Sequence, residues 1–251
     1  MSAKQLVWLA IALAWLAPLV SGISAVQEFP AAFAALGLDA TTLNTLLVAA
    51  AAACTSLLVS LGIAFAAFEL PGLRSVLRIV LVPLLLAPRS LTIVPLQALV
   101  VGFDLQGSLF ALTLCVAAGG IPLQALVLTE AICARGEQWR PLLRAAGAGP
   151  IQQAVILGPL VEPVCLALFL VELLRGVNSF LLPLLFTVGV PELQTLPVRA
   201  WQAAGGAGPD MQVAIGLVAS APGFLLLAAT LVMRRRVASG VEDQPTRTDL
   251  A

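Results

Sequence analysis

The sequence predicts an all-α membrane protein of about six transmembrane helices, and three observations carry that prediction. Hydrophobic residues make up 60% of the chain and charged residues only 10%, whereas an ordinary soluble domain is roughly 25% charged. The mean hydropathy is +1.04, and the apolar residues gather in blocks of about 20, the length at which an α-helix crosses a hydrocarbon core. Runs such as residues 46–68 lack the alternation of a barrel strand. A helix is then the geometry that satisfies every backbone amide in lipid.

The first span, residues 6–26, follows Lys4. Small residues such as Ser21 and Ala25 suit a signal-peptide cleavage site, but the length of the run and the internal Pro18 favour an uncleaved helix. A less apolar connection with Glu28, Pro30 and Asp39 leads past Asn44 to the second span, residues 46–68, whose alanine-rich start permits close helix contact. Pro71 and Gly72 break the chain, and Arg74 and Arg78 precede the third span, residues 79–101. Pro83, Pro88 and Pro95 make that span a kinked helix. A turn at 104–108 leads to the fourth span, residues 109–128.

Composition then shifts. Residues 135–153 read RGEQWRPLLRAAGAGPIQQ, the longest polar and basic interruption between spans. The fifth span covers residues 156–174, and the apolar run 180–186 is too short to cross. Residues 187–210, rich in Gly and Pro, form a loop with one short helix. The sixth span, residues 211–233, is closed by Arg234, Arg235 and Arg236. Residues 1–236 thus form the transmembrane domain, with a loop of interest at about 135–155, and residues 237–251 form a disordered tail too poor in apolar side chains to fold.

Six spans place Lys4, Arg74, Arg78, Arg135, Arg140, Arg144, Arg234, Arg235, Arg236 and Arg247 on one side, with only Arg175 and Arg199 opposite and Arg89 inside the third span. By the positive-inside rule that side is the cytoplasm, which puts both termini and the 135–155 loop there. The loop then reads either as a tether set by its charge or as a dock for a soluble partner.

Catalytic chemistry has little to work with. The chain has no His and no Tyr and no phosphate-binding glycine loop, so it is expected not to be an enzyme, to carry no cofactor or metal and to bind no nucleic acid. Cys54, Cys115, Cys133 and Cys165 lie in or beside apolar spans without paired spacing and read as small buried residues. Polar groups near the membrane are expensive and usually face a cavity or another helix. Arg89, Gln97 and Asn178 are candidates to border a solute path, and their hydrogen-bonding groups would suit a sugar or polyol. Glu172 and Arg175 stand three apart and can pair on one helix face.

Several segments resemble a known family. Arg144-Ala145-Ala146-Gly147-Ala148-Gly149-Pro150, followed by Ile156-Leu157-Gly158-Pro159-Leu160, resembles the coupling loop of importer permeases, of pattern EAA-x3-G-x9-I-x-LP. Val177-Asn178-Ser179-Phe180-Leu181-Leu182-Pro183-Leu184-Leu185-Phe186 is similar to the family's WNxFLxPLxF segment, and Pro191-Glu192-Leu193-Gln194-Thr195-Leu196-Pro197-Val198 to its PELxTLPV segment. Asn44 to Val48 and Phe68 to Gly72 sit where relatives have NSLLV and a Phe-Pro-Gly turn. The family is the binding-protein-dependent (MetI-like) permease superfamily of ABC importers, with the sugar-type, MalG-like subfamily nearest. The pattern's glutamate and two alanines fall on Pro141, Leu142 and Leu143 here, and Val177 stands where the family has Trp.

The resemblance implies a MetI-like fold in the bacterial inner membrane. It implies a second homologous permease subunit, two ATPase subunits that bind the ATP, an extracytoplasmic solute-binding protein and a small-molecule solute, a carbohydrate or polyol. Arg140, Arg144, Ala145, Ala146, Gly147, Ala148, Gly149 and Pro150 would couple to the ATPase. Gly147 would turn the chain between two short helices, Pro150 would start the second, and Arg140 and Arg144 would meet the ATPase surface. Polyamine, oxyanion or thiamine permeases, and an ATP-independent channel or secondary carrier, remain open readings.

Overall fold

The computed structural model describes residues 24–36, 38–87, 89–187 and 190–224, and among these there are helices and turns but no strand. A 3-10 turn, Ser24–Glu28, enters α1 (Phe29–Leu36). Then come α2 (Leu38–Glu69), α3 (Pro71–Leu86), α4 (Arg89–Gly102), α5 (Leu109–Ala118), α6 (Ile121–Gly136), α7 (Arg140–Ala145), α8 (Pro150–Val177), α9 (Leu181–Phe186) and α10 (Leu196–Ala204). A last helix, α11, is described over residues 209–224.

Two helices are long and apolar enough to cross a membrane, α2 over Ala40–Glu69 and α8 over Ile151–Val177. The pair α5 and α6 makes a third when taken as one broken span bent by 48°. The expected second and fifth spans are thus present, each inside a longer helix. The expected first span lies outside the described residues apart from its last few, which belong to the 3-10 turn. The end of the sixth span and the tail also lie outside them.

The third and fourth spans need correction. Residues 79–101 are not one kinked helix: α3 ends at Leu86, Ala87 turns extended with φ −62° and ψ 133°, and α4 begins at Arg89. Ala87 precedes Pro88, whose ring disfavours helical backbone in the residue before it. Pro83 and Pro95, by contrast, stay inside their helices. α3 also starts well before residue 79, because Pro71 opens it at a position where a missing amide costs nothing. The fourth span runs on to Gly136 and is broken at Gly119–Gly120, with Pro122 in the first turn beyond.

The helix α2 is the axis of the bundle, packing along α8, α6 and α5. Its buried face carries Ala49, Ala52, Ala53, Ser56, Ser60, Ala64 and Ala67, a stripe of small side chains that lets backbones approach. The approach is tight at Gly176 of α8, where a Cβ would lie 2.8 Å from that of Ala49. Three apolar clusters fill the spaces between helices. One holds Val48, Leu112, Val116 and Phe186, a second holds Phe68, Leu128, Ile132, Leu143 and Leu157, and a third joins α1, α10 and α11 through Leu36, Leu196 and Ile215. Cys115 and Cys133 are buried as expected, but Cys54 is on the exposed side of α2.

Of the basic residues expected on one side, Lys4, Arg234, Arg235, Arg236 and Arg247 lie outside the described residues, and Arg74, Arg135 and Arg140 meet the same part of the bundle. The C-terminal ends of α2 and α6, the short α7 and the start of α8 share one end of the bundle, joined by Arg74, Arg135 and Arg140. At the other end the start of α2 is stitched to the segment before α10: Asn44 Nδ2 donates to the Glu192 carbonyl at 2.7 Å, and the Leu196 amide donates to Thr45 Oγ1 at 2.7 Å.

Candidate functional site

The polar loop folds into a compact helical reversal. α7 ends in a Schellman motif: the Gly147 amide donates to the Arg144 carbonyl at 3.1 Å and the Ala148 amide to the Leu143 carbonyl at 3.0 Å. That closure needs the left-handed conformation, and Gly147 has φ +64°. No atom comes within 4 Å of a Cβ built there, so the glycine is demanded by backbone and not by crowding. Ala148 lies against the cluster that holds Leu143, the apolar contact that accompanies this motif. α8 then starts at Pro150, with the Gln152 side chain accepting from the Gly149 amide at 2.9 Å and Gln153 Nε2 donating to the Ala148 carbonyl at 2.9 Å. The turn expected of Gly147 is present, although the helix after it is the full-length α8 and not a short one.

The reversal has two faces. Leu143 is buried among Phe68, Ile132 and Leu157. Leu142 and Ile151 are 62% and 81% exposed, and Arg144, Ala145, Ala146 and Gly147 are exposed with them. Arg140 goes the other way. Its guanidinium sits 4.7 Å over the Phe68 ring centroid, donates to the Phe68 carbonyl and pairs with Glu137 at 3.3 Å. Arg74 joins them, donating to Glu137 Oε1 at 2.6 Å and to the Ala67 carbonyl at 3.3 Å. Two cations therefore cap the last carbonyls of α2, where the helix dipole is negative, and one carboxylate bridges them. The hydrogen bond from Arg74 holds the Glu137 carboxyl below its ordinary pKa, and the same bond raises that of Arg74. Glu137 was not among the sequence candidates. Its signal was a lone acid among arginines at the end of an apolar run.

The proposed solute-path residues stand on α4 and at the end of α8. Arg89 opens α4. Gln97 lines a shallow, open groove of about 450 Å³ together with Val94, Ala98, Val101 and Gly102, all on α4. Asn178 caps the far end of α8, donating to the Leu174 carbonyl at 2.8 Å, with Gly223 of α11 beside it.

A different polar centre lies where α5 and α6 part. Glu172 is 3% exposed and accepts from Arg175 Nε at 2.7 Å, the pairing expected from their spacing. The break receives this pair. The Gly120 amide bonds to the Ala117 carbonyl instead of continuing the α-pattern, and Arg175 Nη2 donates to the Val116 carbonyl left free. A Cβ on Gly120 would lie 2.5 Å from the Glu172 carboxyl, and one on Gly119 would lie 2.9 Å from Arg175 Nη1. The cation thus sits at the C-terminal end of α5 and the anion at the N-terminal end of α6, each where the local helix dipole favours it. Close by in sequence, Gln124 is 2% exposed and neither of its amide atoms has a hydrogen-bond partner.

Among the described residues no cluster of His, Cys, Asp or Glu could hold a metal ion. No protein-family model matches the chain, and no curated protein matches it.

Proposed function

We propose that the chain is the membrane-spanning subunit of an ATP-driven importer of the MetI-like type, with six spans and its arginine-rich end in the cytoplasm. One observation carries this reading. At the end of the bundle bearing Arg74, Arg135 and Arg140, α7 and the start of α8 form a helical knob whose outer face presents Leu142, Arg144 and Ile151. An exposed apolar and cationic knob, braced from behind, is what a separate ATPase would grip. α7 would be the coupling helix, with Gly147 and Pro150 shaping the turn behind it.

The groove along Gln97 has walls from α4 alone, which suits a subunit that contributes half of a path and relies on a second permease subunit for the rest. A carbohydrate or polyol is the preferred solute, on the likeness of residues 191–198 to the sugar-type segment. An extracytoplasmic binding protein would deliver it.

The test is to purify the tagged chain from its own host in mild detergent and identify what comes with it. An ATP-hydrolysing subunit and a second permease are expected, and their absence from the intact complex would end the proposal. In the complex, replacing Gly147 with Leu should leave insertion intact and abolish coupling of hydrolysis to transport. A secondary carrier is the other reading, supported by the broken span α5 and α6 with its buried ion pair. Solute exchange by the purified chain in liposomes without ATP would favour it.

A further inference from the structure

Arg140 is the first residue of α7, and with Leu143 it forms the inward face of that six-residue helix. Its three contacts all lie outside α7. They are the Phe68 carbonyl, the face of the Phe68 ring and the carboxylate of Glu137. Phe68 itself is 0% exposed and is wedged against Gly136, where a Cβ would come within 3.0 Å of its ring. The ring therefore cannot swing aside, and a cation held over it is fixed to the last turn of α2. Glu137 directly follows α6 and is held in turn by Arg74 of α3. A short helix that buries one leucine would otherwise depend on its flanking turns for its position.

We infer that Arg140 is a strut: it makes α7 one rigid body with the C-terminal end of α2, so that a displacement of α7 reaches the axis of the bundle directly. The inference rests on the reading that a motor subunit grips α7, and it changes the role of Arg140 within that reading from partner contact to positioning residue. Arg144, exposed on the outer face, keeps the contact role. The alternative route for a displacement runs through the Gly147 turn into α8. The strut bypasses it, because Phe68 and Arg140 are 72 positions apart in sequence but in direct contact.

Amide hydrogen exchange on the intact complex tests this. In the parent complex, ATP with vanadate should alter exchange both at residues 140–148 and at residues 64–70. In Arg140→Ala the partner should remain bound and residues 140–148 should still respond, while the response at 64–70 is lost. Arg140→Lys, which keeps a cation over the ring, should restore it. Arg144→Ala should instead weaken retention of the ATPase. An undiminished nucleotide response at 64–70 in Arg140→Ala would overturn the strut, and so would loss of the ATPase from that variant. If no ATPase accompanies the parent chain, the importer reading falls and the strut is judged on the isolated chain. There Arg140→Ala should speed exchange at 66–70 and 140–146 together, by about tenfold, and acceleration of the loop alone would refute it.

Discussion

Two of the arginine–glutamate arrangements among the described residues use the same groups in opposite settings. Glu172 and Arg175 lie inside the bundle, inserted into a broken span, with the glutamate side chain 4% exposed. Arg74, Glu137 and Arg140 lie at the bundle's end, where the Glu137 side chain is 45% exposed. Taking a charge from water costs several kcal/mol, returned only where geometry and extra hydrogen bonds are good. The inner pair meets that condition because Gly119 and Gly120 leave room for it and Val116 offers a free carbonyl. In the outer group only the carboxylate is well exposed, while Arg74 and Arg140 are as covered as Arg175, so the difference lies in Glu137 and in what the group connects. Burial decides whether such a pair governs stability, while the elements it joins decide whether it governs motion.

The largest expected effect breaks the inner pair from one side. Glu172→Ala leaves the half-buried Arg175 guanidinium without its carboxylate and should cost about 3 kcal/mol, read as loss of folded yield and a lower unfolding temperature in detergent. Glu172→Met with Arg175→Met should recover most of that loss, since two apolar side chains remove both charges. A Glu172→Ala variant as stable as the parent would mean the pair is not engaged.

Next in size is Gly120→Ala, which pushes a methyl into the Glu172 carboxylate and should cost about 1–3 kcal/mol by overpacking. Its effect should shrink when Glu172 is already Ala. Strictly additive effects in that double-mutant cycle would separate the glycine from the pair.

At the outer end, acid sharpens the contrast. The Glu137 carboxyl is held below its ordinary value by Arg74, so its contribution is present above the unfolded pKa and is lost as pH falls through the lower folded value. Arg74→Ala and Glu137→Gln should therefore flatten the stability profile on the acid side, between roughly pH 4 and the folded value. Titrating unfolding temperature against pH in parent and variants checks this, and identical profiles would rule out the bridge. The smallest effect belongs to Arg78, whose pair with Glu130 is more than half exposed on both sides. Arg78→Ala should change stability by less than about 1 kcal/mol in the same thermal assay.

Much of the fold was legible from apolar length alone, because lipid leaves a continuous apolar run few options besides a helix. That is why α2 and α8 were placed within their true limits. Length said less where local chemistry decides. Three prolines in residues 79–101 looked equivalent, yet only the one preceded by Ala87 in extended backbone separates two helices. Arg74 and Arg78 were read as lying ahead of the third span and ride on α3, which Pro71 opens early, with Glu137 and Glu130 as their partners. The Gly119–Gly120 break left a visible double glycine, but its cause, the pair on α8, lies more than fifty residues away. At the loop, Gly147 and Pro150 were readable because their roles are local. Arg140 was not, because sequence gives a charge no direction.

The outer group also bears on how such a chain is made. Arg74 and Glu137 are separated by 63 positions, and Arg78 and Glu130 by 52. During synthesis α2 and α3 emerge long before either carboxylate exists. In the importer proposed above, with its arginine-rich end in the cytoplasm, guanidiniums still without their partners would resist translocation of that end. The later arrival of α6 then pairs both guanidiniums, and charges laid down early become a joint of the finished protein.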